Sequence, residues 1–170
     1  MKLSAQEEYG LRCLLHMARI EPGESLSIPE ISGAEGLSIP NVAKLMRLLR
    51  IGGFVTSARG QAGGYTLARP AERITVGEVL ELLGGNIFGP AFCQRHSGVL
   101  ENCVHREDCS VGCLWNTVQH MIENLLTATT LKDLLKSQEE MQKWLDSFNG
   151  NYLPAAVAAE TTSGVAAGSL

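Results

Sequence analysis

No apolar run in this chain of 170 residues approaches the roughly 20 that a membrane-spanning helix needs, so no membrane association is expected. The opening segment, MKLSAQEEYGLRC, lacks the uninterrupted apolar stretch of a secretory signal, because Glu7, Glu8 and Arg12 break it. A cytoplasmic protein is the expectation. Gly60, Gly63 and Gly64 are not followed by Gly-Lys-Ser/Thr, which excludes a phosphate-binding loop of that kind. No nucleophile, base and oxyanion donors assemble along the chain, and no cofactor-binding fingerprint is present, so an enzyme is not expected. An overall basic excess is missing too: the net charge is −4, a weak argument against nucleic acid.

The distribution of that charge argues the other way. Between Lys44 and Arg73 lie six basic residues (Lys44, Arg47, Arg50, Arg59, Arg69, Arg73) against Glu72 alone, a local charge of +5. A basic stripe on an acidic protein is a candidate footprint for double-stranded DNA.

Cysteine is concentrated rather than scarce. Four of the five cysteines, Cys93, Cys103, Cys109 and Cys113, fall between Phe92 and Trp115, together with His96, His105, Glu101, Glu107 and Asp108. In a reducing compartment such a group favours metal or redox chemistry over a disulfide framework. Cys103, His105, Cys109 and Cys113 could supply a tetrahedral zinc set, and Cys103 with Cys109 could form a reversible disulfide. Cys13 lies beside the apolar stripe of the first helix and reads as a core residue.

Taken in order, Ser4-Ala5-Gln6-Glu7 is a capping box, and Leu11, Leu14, Leu15 and Ala18 follow at helical spacing. The first helix is predicted over about 5–20. Glu8 is not needed for the cap and shares a face with Leu11 and Leu15. Ser27-Ile28-Pro29-Glu30 opens a second, short helix that Gly36 ends. Ser38 is predicted to cap a third, with Pro40 in its first turn. Val42, Leu45, Leu48 and Leu49 form its buried face, and Asn41, Lys44 and Arg47 its outer one. Two such helices joined by a short glycine-containing turn form a helix-turn-helix, whose second helix enters the major groove.

Phe54–Ser57 and Tyr65–Leu67 read as a hairpin around a glycine-rich turn, the wing of a winged helix, with Arg59 near its tip and able to reach the minor groove. Thr75-Val76-Gly77-Glu78 opens another helix, to about Leu83. A helix beginning near Leu114, with Leu114, Val118, Met121, Ile122 and Leu125 in one stripe, is predicted to bury that stripe against a second copy of the chain. Thr130-Leu131-Lys132-Asp133 is predicted to start a further helix that carries Leu131, Leu134, Leu135, Met141, Leu145 and Phe148 in period. The fold class is thus mainly α with a small β-hairpin wing: a winged helix-turn-helix domain plus a long dimerisation helix. Four parts are expected: a DNA-binding domain over 1–84, a cysteine-rich loop over 85–112, the dimerisation and C-terminal helices over 113–149, and a disordered tail over 150–170.

The wing resembles one family closely. Winged-helix regulators related to IscR and NsrR carry Gly-x-Val-x-Ser-x-Arg-Gly-x-x-Gly-Gly-Tyr-x-Leu, and residues 53–67 read GFVTSARGQAGGYTL. Ile74-Thr75-Val76-Gly77-Glu78-Val79, Leu114-Trp115 and the position of the cysteine loop are similar as well; the resemblance spans about 1–148. It implies a homodimeric transcription factor; with the helix-turn-helix and wing read above, Ser38, Asn41, Lys44, Arg47, Arg59 and Gly60 are the candidate DNA-binding residues on a palindromic operator. It also implies an iron–sulfur cluster (2Fe–2S or 4Fe–4S) on Cys93, Cys103 and Cys109, sensing iron, redox or nitric oxide status. The gap between Cys93 and Cys103 is longer than is usual in the family. The IscR branch takes a histidine three residues after the last cysteine, where this chain has Gly112. The NsrR branch takes an acid near the start of the first helix, supplied by the other subunit, where this chain has Glu8. The fourth ligand is accordingly Glu8 or Cys113, ahead of a water bridge or His105. A structural zinc or a thiol–disulfide switch in place of the cluster is the alternative.

Overall fold

A computed structural model describes residues 4–21, 24–58, 63–85, 103 and 109–152. Two compact units are present, Met1–Leu135 and Lys136–Leu170.

The first unit is a winged helix. Helix α1 (Ala5–Ala18) starts at a complete capping box in which the Ser4 hydroxyl accepts from the Glu7 N–H and the Glu7 carboxylate accepts from the Ser4 N–H at 2.7 Å. Helix α2 (Ile28–Glu35) opens on the same device at Ser27 and Glu30. It ends at Gly36, whose φ of 65° is the left-handed conformation that favours glycine. Helix α3 (Ile39–Ile51) follows directly and buries Val42, Leu45, Met46 and Leu49. These meet Cys13 and Leu14 of α1 and Ile31 of α2 in one core, all with no more than 1% exposure.

Strands β1 (Val55–Ala58) and β2 (Gly64–Leu67) pair antiparallel, Val55 opposite Leu67 and Ala58 opposite Gly64. Leu26, just ahead of α2, adds a bridge to Tyr65 through two backbone hydrogen bonds of 3.0 and 2.8 Å. A Cβ at Gly64 would stand 2.7 Å from the Leu26 carbonyl oxygen, so the close approach requires glycine there. A single 3-10 turn (Ala71–Arg73) leads to α4 (Val76–Leu83), capped by Thr75 and Glu78.

Helix α5 (Ser110–Ala128) is the longest described helix. Its C-terminal end rejoins the winged domain: the Val76 N–H donates to the Thr129 carbonyl at 2.8 Å and the Leu131 N–H to the Ile74 carbonyl at 2.9 Å. Leu131 is fully buried in the winged-helix core. This corrects the expectation of one helix running on from Thr130. A capping box of Thr130 and Asp133 instead closes a short 3-10 turn (Asp133–Leu135), because Leu131 is held by Ile74 and cannot continue an apolar stripe toward Met141.

In the second unit, a new capping box at Ser137 and Glu140 starts helix α6 (Gln138–Tyr152), on which Trp144 and Phe148 stack with ring centroids 5.6 Å apart. Of the disordered tail expected over 150–170, residues 150–152 instead complete α6, and 153–170 lie outside the described residues. No described helix is long and apolar enough to cross a membrane.

Candidate nucleic-acid interface and cysteine loop

The core fixes which face of α3 looks outward. With Val42, Leu45, Met46 and Leu49 buried, the opposite ridge carries Pro40, Lys44, Arg47 and Ile51, all exposed. Neither Lys44 nor Arg47 forms an ion pair among the described residues, so both charges face solvent. Asn41 is half-buried on the flank of this ridge. Ser38 occupies the cap position of α3 and is exposed, but its side chain accepts no cap hydrogen bond, contrary to expectation. The side chain of Ser38 is thus not committed to the cap, and the start of α3 is exposed at Ser38, Ile39 and Pro40.

The basic stripe is narrower than the sequence suggests. Arg69 Nη2 donates to Glu78 Oε1 at 3.0 Å, and its guanidinium lies 5.3 Å from the Phe54 ring centroid. Glu78 is held below the usual carboxylate range by the Thr75 N–H first, then by Arg69 and the Thr75 hydroxyl. Arg69 thus braces the base of the wing. Lys44, Arg47, Arg50 and Arg73 remain exposed cations in the described part of the stripe. Arg59 and Gly60 lie outside the described residues.

Of the cysteines, Cys103 and Cys109 are half-buried, Cys113 is exposed and Cys13 is buried; none of the four is in a disulfide. Cys109 occupies the cap position of α5, and its Sγ accepts from the Gly112 N–H at 3.2 Å. The Cys113 N–H donates to the Cys109 carbonyl at 3.0 Å, which places Cys113 one turn into α5. A Cβ at Gly112 would lie 3.3 Å from the Cys109 Sγ, so a side chain at 112 would stand beside that sulfur. Cys93, His96, Glu101, His105, Glu107 and Asp108 lie outside the described residues. Among the described residues no three His, Cys, Asp or Glu side chains converge on one point.

At the start of α1 two neighbouring carboxylates differ. Glu7 is buried, spent on the cap and packed against Gly84. Glu8 is exposed, and no hydrogen bond or ion pair engages its side chain among the described residues. Cys13 is fully buried, and burial pushes its thiol up to about 11, with Glu35 adding to the shift; this makes it a poor metal ligand. Sequence reasoning passed over Ile39, 54% exposed in the first turn of α3. An apolar residue there carries no signal until the buried face of the helix is known.

Comparison with known proteins agrees with this geometry. The sequence matches the Rrf2 family, described as an iron-dependent transcriptional regulator, over residues 3–137. It is 33% identical to Protein rrf2 of Nitratidesulfovibrio vulgaris over 136 residues, covering 80% of this chain and 88% of that one. Among solved structures, CymR, the global cysteine regulator of B. subtilis, superposes with a TM-score of 0.64 at 29% identity, covering 79% of this chain and 96% of that one. The IscR of T. potens does so with a TM-score of 0.63 at 29% identity, covering 79% and 86%. The chain belongs to the Rrf2 family: it is a winged-helix, DNA-binding transcriptional regulator and not an enzyme.

Proposed function

We propose that this Rrf2-family chain is a cytoplasmic, homodimeric regulator whose cysteine loop holds an iron–sulfur cluster, and that the state of the cluster sets its affinity for a palindromic operator. One observation carries the coupling. Helix α5 begins at Cys109 and, at its other end, is tied by Thr129 and Leu131 into the core on which α3 rests. A change at the cysteine end therefore has a continuous, helical route to the reading head.

The donor set suits such a group. Thiolates are soft, strong donors to iron, and N–H groups donating to sulfur, as Gly112 does to Cys109, tune cluster potentials. Cys93, Cys103 and Cys109 would hold the cluster, with Glu8 of a second copy or Cys113 completing it. When bound, the cluster supplies a centre that responds to iron supply, oxidants or nitric oxide. The chain's own residues do the rest. Glu8 offers an unengaged carboxylate, a weaker donor than thiolate, which leaves one corner labile. Val111, Leu114, Val118, Met121 and Leu125 recur at alternating spacings of three and four along α5, the pattern of a helix–helix seam. Val111, Leu114 and Met121 are 58, 55 and 43% exposed, so this chain leaves the seam for a partner helix. Two chains joined there would present two α3 helices to two half-sites.

Likeness to the cysteine regulator CymR favours a second reading, in which Cys103 and Cys109 respond as a reversible disulfide without iron. A titration of cluster-loaded and metal-stripped protein tests both, using a duplex selected from a random library at two salt concentrations. Steep salt dependence with a fivefold or larger difference between loaded and stripped protein is expected. Equal affinities would remove the sensor, and salt-independent binding would remove the phosphate contacts.

A further inference from the structure

Ile39 is placed where a regulator of this shape reads bases, and it is apolar. It is the first residue of α3, 54% exposed, and no helical turn precedes it to cover its side chain. Single exposed apolar residues are ordinary on protein surfaces; position sets this one apart. The other exposed isoleucine of α3, Ile51 at 65%, closes the helix, at the end that leaves the groove in a helix-turn-helix complex. Ile39 stands at the entering end on the flank of the outward ridge, beside Pro40, from which Lys44 and Arg47 lie one and two turns further along that ridge. In a major groove those cations would meet backbone phosphates and hold the first turn near the base edges. In the major groove the one apolar group on any base edge is the thymine 5-methyl. Neither Ile39 nor Pro40 offers a side-chain donor or acceptor, so the entering turn cannot read a G·C pair by hydrogen bonding through them.

We infer that Ile39 is a specificity-determining residue which reads a thymine 5-methyl group in each half-site of the operator. The inference rests on the DNA-binding reading of α3 and deepens it. It requires an A·T pair at one fixed position per half-site, contacted by apolar burial rather than by a hydrogen bond.

The test uses the whole protein and duplexes selected by it from a random library. Each thymine of the selected half-site is replaced in turn by uracil, which lacks only the methyl group. Affinity is read by fluorescence anisotropy for wild type and for Ile39→Ala, whose exposed position leaves folding intact, as a melting curve would verify. At one position per half-site, uracil is expected to weaken wild-type binding about threefold to tenfold, the scale of one or two buried methyl contacts, and to leave Ile39→Ala unchanged. The inference is overturned if no uracil substitution weakens the wild type. It is equally overturned if the loss persists in Ile39→Ala, or if Ile39→Ala changes the oligomeric mass and not the base preference. If no sequence is enriched and binding ignores salt, the DNA-binding reading falls with it, a result distinguishable from the other three.

Discussion

Glu7 and Glu8 are consecutive carboxylates on α1, and a 100° helical step separates a structural group from an exposed one. Glu7 closes the capping box and packs on Gly84, so Glu7→Ala should cost about 1 kcal/mol in denaturant unfolding. Glu8→Ala should leave stability within a few tenths of a kcal/mol yet change the visible spectrum of the cluster-loaded protein; an unchanged spectrum would leave Cys113 as the fourth ligand. Cys13 carries a pH prediction. Its folded thiol titrates near 11, against a reference of 9.0. A raised pKa in an acidic group stabilises the fold below the unfolded value and loses that contribution as pH rises through the window from 9 to 11. The metal-free protein should thus lose stability more steeply between those pH values than Cys13→Ala does, and identical slopes would contradict the assignment. On the DNA side, Arg47→Ala should weaken binding across all sequences and lower the salt slope by about 1.

At the scale of elements, the legible part of the sequence was local. The capping boxes at Ser4, Ser27 and Thr75 form among residues three apart, so each helix start was visible in the chain. The wing was visible because a glycine-rich turn separates two strand-like runs; the reason for one of those glycines, the close approach of the Leu26 carbonyl to Gly64, shows only in the structure. The hidden part depends on distant partners. The apolar residues from Leu131 to Phe148 keep one helical phase across the polar run 136–140, yet Ile74 captures Leu131 and the chain divides into a 3-10 turn and α6. On α5 the polar Gln119 is buried, donating to Glu123 Oε1 at 2.5 Å, while Leu114 and Met121 of the apolar stripe are exposed. Periodicity locates the two faces of α5 without telling which one its own chain covers. The site was legible in its residue types, through the cysteine loop and the wing motif, but not in the pairing of Arg69 with Glu78 or the exposure of Ile39. Leu114→Glu together with Met121→Lys should convert the proposed dimer to a monomer in sedimentation while leaving the melting of the winged domain in place; an unchanged dimeric mass would move the interface elsewhere.

At the scale of the molecule, α5 runs from its cap residue Cys109 to Thr129 and Leu131, which tie its far end into the winged-domain core. Leu131→Ala should test that continuity. Loss of a fully buried leucine costs about 2–5 kcal/mol, and it should also shrink the difference in DNA affinity between loaded and stripped protein. A destabilised variant that kept the full difference would separate sensing from this link. The sensing model stands on the cluster itself. The most direct measurement is the visible absorption spectrum of protein isolated without oxygen, with iron, acid-labile sulfide and zinc assayed on the same sample. The account predicts a brown protein with matched iron and sulfide, and a colourless one when Cys103 and Cys109 are both replaced by serine. A colourless wild-type protein holding one zinc per chain, or no metal at all, would contradict it.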